Sequence, residues 1–85
     1  MSKTMVVPDW KLGDRFIAAI ATRGIRPCFG GVDFSNDGTE IGQLFTDGEY
    51  RLPMVVSVAF LCDNFERAVD VMVSEFRDAK EATRR

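Results

Sequence analysis

The sequence predicts a small α+β domain in the order helix, three-stranded antiparallel meander, helix (α-β-β-β-α). Three observations carry this expectation. Apolar residues recur at helical spacing from Trp10 to Ile20, switch to alternation between Cys28 and Cys62, and return to helical spacing from Phe65 to Ala79. With 85 residues, 46% of them hydrophobic and 28% charged, the chain has the composition of a folded globule. A chain this short buries only roughly 60–65% of the surface it exposes when unfolded, which leaves room for one modest core. Residues 1–85 are therefore read as one domain, with 1–8 as a lead-in and 81–85 as a frayed tail.

In the lead-in, Pro8 forces Val7 toward extended geometry and Asp9 is placed to cap a helix that begins at Trp10. Gly24 stops that helix and Pro27 prevents its resumption. Leu12, Phe16, Ala19 and Ile20 form one stripe, and Trp10, Ile17 and Ala21 form a second beside it. A helix apolar on two adjacent stripes is expected to touch more than one neighbour. Gly13 costs such a helix up to about 1 kcal/mol relative to alanine.

Alternation then takes over. Cys28, Gly30, Val32 and Phe34 are expected on one face of a first strand, with Gly30-Gly31 marking a bulge or the close approach of another backbone. Ser35-Asn36-Asp37-Gly38 supplies the first turn, and Thr46-Asp47-Gly48 supplies the second. Between them Ile41 and Phe45 share a face. In the third segment Tyr50, Leu52, Met54, Val56, Val58 and Phe60 fall on one parity, with Cys62 read as core at its end. Pro53 cannot donate to a ladder, so the strand either lies at a sheet edge there or begins just after it. Asp63 is the expected cap of the last helix, with Glu66 three positions on completing a reciprocal pair. Phe65, Ala68, Val69, Met72, Val73, Phe76 and Ala79 form its apolar arc, and Lys80, Arg84 and Arg85 suit its C-terminal dipole.

The chain contains no histidine. Ser-His-Asp and Cys-His catalysis and imidazole-bound zinc are thereby excluded, since no side chain has an unperturbed pKa near neutrality. The two cysteines have no CxxC neighbour and the start of the chain lacks the apolar run of a secretion signal, so reduced thiols and a cytoplasmic location are expected. The longest apolar stretch, Met54 to Cys62, is under half the about 20 residues that span a bilayer. A net charge of −2 argues against a general polyanion binder. No cofactor is expected.

Four local patterns have a chemical reading. Asp33 to Gly38 matches the first half of a calcium loop, but its twelfth position is Leu44 and its flanks alternate like strands, so a hairpin turn and no metal is expected. Asp63, Glu66 and Asp70 lie close together, and capping with dipole complementarity explains two of the three. Cys28 follows Pro27 beside Arg26, with Arg23 near, and a thiol-dependent enzyme is a second alternative on that account. Gly24 to Gly31 has neither GxGxxG nor a lysine followed by serine or threonine, so nucleotide binding is unsupported.

The helix, three strands, helix order resembles that of double-stranded RNA-binding domains, whose two helices pack on one face of a three-stranded antiparallel sheet. The resemblance implies nucleic-acid binding as the first alternative. The chain departs from it where that family opens its second helix with lysines, because Asp63-Asn64-Phe65-Glu66-Arg67 stands there instead. Counterion release needs cations facing phosphates, and Arg23, Arg26, Lys80, Arg84 and Arg85 are split between elements.

What remains is apolar surface without a job. Val71 falls about 60° outside the stripe of its helix, and Leu44 points opposite to Ile41 and Phe45. Two helices on one side of the sheet leave Val55, Ala59 and Leu61 on a bare face, the kind of patch that soluble monomers rarely expose. The reading is a non-enzymatic protein-interaction module. It acts as a homodimer or by docking on a protein partner, in the manner of the small regulators and inhibitors that phages and mobile elements encode. Trp10, Ile17, Leu44, Tyr50 and Val71 are the expected anchors.

Overall fold

The computed structural model describes residues 10–84; the lead-in, with the expected cap Asp9, and Arg85 lie outside the described residues. Helix α1 (Trp10–Ala21) is followed by strands β1 (Arg26–Pro27), β2 (Asp33–Phe34), β3 (Glu40–Thr46) and β4 (Arg51–Ser57), then helices α2 (Val58–Asp63) and α3 (Phe65–Ala82). The architecture is α+β with an N-terminal helix, an antiparallel sheet and C-terminal helices, as the periodicity predicts.

Strand β3 is the centre of the sheet. Along one edge β4 pairs with it from Glu40↔Ser57 to Thr46↔Arg51. Along the other edge lie both β1, through Pro27↔Phe45, and β2, through Asp33↔Gly42. Residues 28–32 therefore stand opposite only Gln43 and Leu44. The first strand expected from Cys28 to Phe34 is thus two fragments around an excursion, larger than the single extra residue of an ordinary bulge. Only two of its four expected face-mates lie on the core: Val32 is buried and Phe34 packs against it, whereas Gly30 is exposed at φ +83° and Cys28 is half-buried.

Pro53 sits at the free edge. The Val58 N–H donates to the Thr39 carbonyl at 2.9 Å, which fixes the alternation of the ladder. Counting back by twos places Pro53, opposite Leu44, at a rung where its nitrogen faces away from β3. The missing N–H costs the sheet nothing and blunts an open edge.

The third strand ends sooner than its parity suggests. Ser57 Oγ accepts from the Phe60 N–H at 3.3 Å and caps α2, so Val58 and Phe60 are helical. Leu61 is buried rather than on the bare sheet face, Ala59 lies on the helix with it, and Cys62 is exposed rather than core. Asn64, not Asp63, caps α3. Its N–H donates to the Phe60 carbonyl at 2.9 Å and its side chain accepts from the Arg67 N–H at 3.3 Å. A non-helical φ of −151° lets this one residue close α2 and open α3. Helix α3 then runs to Ala82, into the segment expected to fray, because Lys80 and Arg84 are tied to the β3–β4 turn.

Leu12, Phe16 and Ile20 of α1, Leu61 of α2, and Ala68, Val69, Met72, Val73 and Phe76 of α3 bury against Ile41, Phe45, Met54 and Val56. Phe16 meets Phe45 edge-on at 6.0 Å, and Tyr50 meets Phe76 at 5.5 Å. Gly13 explains itself here: a Cβ on it would stand 2.9 Å from Val32 Cγ2. The buried strand residues all have one parity, so the helices cover one face of the sheet and leave the other open.

Candidate interaction surface

The uncovered face is built from the other parity, and the register orders it in rows. Arg26, Thr46 and Arg51 stand at one end, followed by Leu44 with Pro53, then Asp33, Gly42 and Val55, and last Glu40 with Ser57. Leu44 lies between two shallow depressions. One of about 410 Å³ is lined by Gly42, Pro53, Val55, Asp33 and Glu40. The other, of about 430 Å³, is lined by Cys28, Phe29, Thr46, Glu49 and Arg51. Val55 is 55% exposed and Phe29, carried outward on the excursion, is 76% exposed. A Cβ at Gly42 would stand 3.2 Å from Val55 Cγ2, so the absence of a side chain there makes room for the valine and a hollow beside Leu44.

The face is polarised along the strands. Its unpaired cations, Arg26 and Arg51, are at the β1 end, where the Glu49 carboxylate is taken up by Lys80 and Arg84, and its unpaired carboxylates, Asp33 and Glu40, are toward the β2 end. Among the described residues Arg26, Arg51, Asp33 and Glu40 take part in no ion pair.

Among the described residues four other cations are engaged within the fold. Arg23 pairs with Asp70 at 2.6 Å, and the Arg15 guanidinium lies 4.2 Å from the centre of the Phe65 ring. Lys80 Nζ donates to Asp47 Oδ2 and, at 2.7 Å, to Glu49 Oε1, and Arg84 stands 3.6 Å from the same glutamate. The Lys80 hydrogen bond holds the Asp47 carboxyl well below the usual range, helped by the Glu49 and Tyr50 N–H groups. Glu49 is lowered by the same ammonium, and the two carboxylates push Lys80 up. Asp37 is held low by hydrogen bonds from Thr39 and Ser35.

Those bonds describe the Asp33–Gly38 motif as well. Asp37 Oδ1 accepts from Ser35 Oγ, Thr39 Oγ1 and the Thr39 N–H, which closes the segment as a hairpin turn. Asp63 ends α2 while Asp70 faces Arg23, and among the described residues no cluster of cysteine, aspartate and glutamate is arranged to hold a metal ion. Cys28 is half-buried, with its N–H on the Leu44 carbonyl at 2.8 Å.

The five expected anchors lie apart. Leu44 is at the centre of the open sheet face. Trp10 is 61% exposed but lays its ring edge-on to Phe34 at 5.0 Å. Ile17 and Tyr50 pack against the core, and Val71, 40% exposed, lies among Arg67, Asp70, Ser74, Glu75 and Asp78 on α3. Phe29 was not among the expected anchors. Its signal is a large aromatic between Pro27 and the Gly30-Gly31 pair, a place where no core position can be expected.

No protein-family model, curated protein or solved structure matches the chain. No described helix is long and apolar enough to cross a membrane.

Proposed function

We propose that this chain is a non-enzymatic protein-interaction module and that its docking surface is the open face of the sheet around Leu44, Val55 and Phe29. The observation that carries the reading is that three large apolar side chains and two depressions share a face which no element of the fold covers. Apolar centres rimmed by charge are the usual anatomy of a docking site. Nucleic-acid binding has less support, because Arg23, Lys80 and Arg84 are bound to carboxylates and the open face carries Asp33 and Glu40 beside its two arginines.

A photoreactive side chain placed at Val55 or Phe29 tests this in the source cells. The expected result is a covalent adduct with a protein, absent when the same group replaces Ala18 on the exposed side of α1. Adducts formed only from helix positions would overturn the reading.

A further inference from the structure

We propose that the open sheet face is occupied by a second copy of this chain, packed sheet to sheet with the strands of the two copies running in opposite directions. The two-fold axis lies between the sheets and crosses the strands level with Gln43. The proposal rests on the docking reading above and names its partner.

Charge is the first argument. Each face has the row Arg26, Thr46, Arg51 at one end and Glu40 at the other, with Asp33 one row inside it. Rotation about an axis across the strands exchanges the ends while keeping β4 over β4 and the β1/β2 edge over itself. The arginine row of each copy then stands over Glu40 of the other, with Asp33 next to it. All four groups lack an ion-pair partner among the described residues, so no internal pair has to break. Any packing with parallel strands would set arginine against arginine.

Shape is the second. With the axis level with Gln43, Leu44 of one copy faces Gly42 of the other, and the reverse contact is made at the same time. A half-buried leucine set between two depressions meets the hollow left by a missing side chain, while Pro53 and Val55 face each other beside them. A bilayer surface or a nucleic acid would meet Asp33 and Glu40 with no cation to offer them, and an apolar foreign surface would leave all four charges without partners.

The size of the face sets the strength. Three strand lanes about 4.8 Å apart and seven residues at about 3.3 Å each give less than the roughly 800 Å² per partner of a standard interface. The dimer is therefore expected to be weak, its population rising with protein concentration.

Sedimentation equilibrium of the full chain from about 1 µM to about 1 mM is the test. The expected mass rises from 9.5 kDa to twice that value. Arg26→Glu with Arg51→Glu makes both ends acidic, and Asp33→Arg with Glu40→Arg makes both ends basic. Each double variant should lose self-association by about tenfold or more, and the two mixed should form a heterodimer. These positions are exposed, and circular dichroism checks that the variants fold. A monomer at every concentration, or a dimer indifferent to both swaps and to Leu44→Lys, overturns the proposal. If the chain is a monomer and the Val55 photoprobe joins a different protein, only the second-copy proposal falls. If it is a monomer and the probe joins nothing, the docking reading falls with it.

Discussion

The side-chain amide of Gln43 takes the place of a missing peptide: its Nε2 donates to the Gly31 carbonyl at 2.8 Å, and its Oε1 accepts from the Leu44 N–H at 2.8 Å. The excursion between β1 and β2 leaves Gln43 and Leu44 without a neighbouring strand residue, and Cys28 reaches only the Leu44 carbonyl. A carboxamide offers one acceptor and a donor, which is what a peptide unit would present. Gln43→Met keeps the length of the side chain and orphans both backbone groups. It should cost about 1–3 kcal/mol in urea unfolding and speed hydrogen exchange at Leu44. Unchanged exchange at Leu44 would show that the excursion is held by other contacts.

Gly13 and Val32 make a second coupled pair. Alanine at position 13 would gain up to about 1 kcal/mol of helix propensity. Its Cβ would also stand 2.9 Å from Val32 Cγ2, and overpacking a stiff β-branched neighbour costs about 1–3 kcal/mol. Gly13→Ala should therefore destabilise by about 1 kcal/mol net. Adding Val32→Ala should make the Gly13→Ala change neutral or favourable, a coupling that a double-mutant cycle measures.

The elements were legible where one side chain pattern had one cause. Leu12, Phe16 and Ile20, or Met72, Val73 and Phe76, repeat at helical spacing and all are buried. Pro53, lacking an N–H, left its strand either an edge position or a start just after it, and the structure has the edge. Sequence and structure part where the pattern has two causes. Val58 and Phe60 keep the parity of β4 by accident while Ser57 caps a helix, and the Asp63 and Asn64 neighbours both have capping side chains. The excursion at 28–32 depends on a side-chain amide in another strand, which no local spacing encodes. Of the proposed docking surface, Leu44 and Val55 could be read from strand parity, whereas Phe29 lies in a segment whose expected alternation the excursion breaks.

The choice between Asn64 and Asp63 as the α3 cap gives a third prediction. Asn64 Oδ1 accepts from the Arg67 N–H, so Asn64→Ala should cost about 1 kcal/mol. Asp63 makes no such bond as the last residue of α2, and Asp63→Ala should change stability by less than about 0.5 kcal/mol. Equal losses at the two positions, read from urea midpoints, would contradict the assigned cap.

The Lys80 clamp on the β3–β4 turn predicts how stability depends on pH. Asp47 and Glu49 have folded pKa values below their ordinary ones, chiefly because Lys80 donates a hydrogen bond to each. In the unfolded chain these carboxyls take up protons near pH 4, while in the folded chain they stay ionised to lower pH, so acid favours unfolding. Their contribution is complete above about pH 5 and is lost as pH falls through the lowered folded values. Lys80 has the opposite sign. Its raised pKa contributes fully below the unfolded value of about 10.4 and fades as pH rises through the folded one. Lys80→Met removes the ammonium and keeps most of the stem. It should lower the melting temperature most near neutral pH, and the difference from wild type should shrink as the carboxylates protonate. Asp47 keeps its bonds from the Glu49 and Tyr50 N–H groups, so the turn itself should persist in the variant. Thermal unfolding of both proteins near pH 7 and near pH 2 decides the matter: an equal deficit at the two pH values would mean that the lysine acts through its hydrocarbon chain and not through its charge.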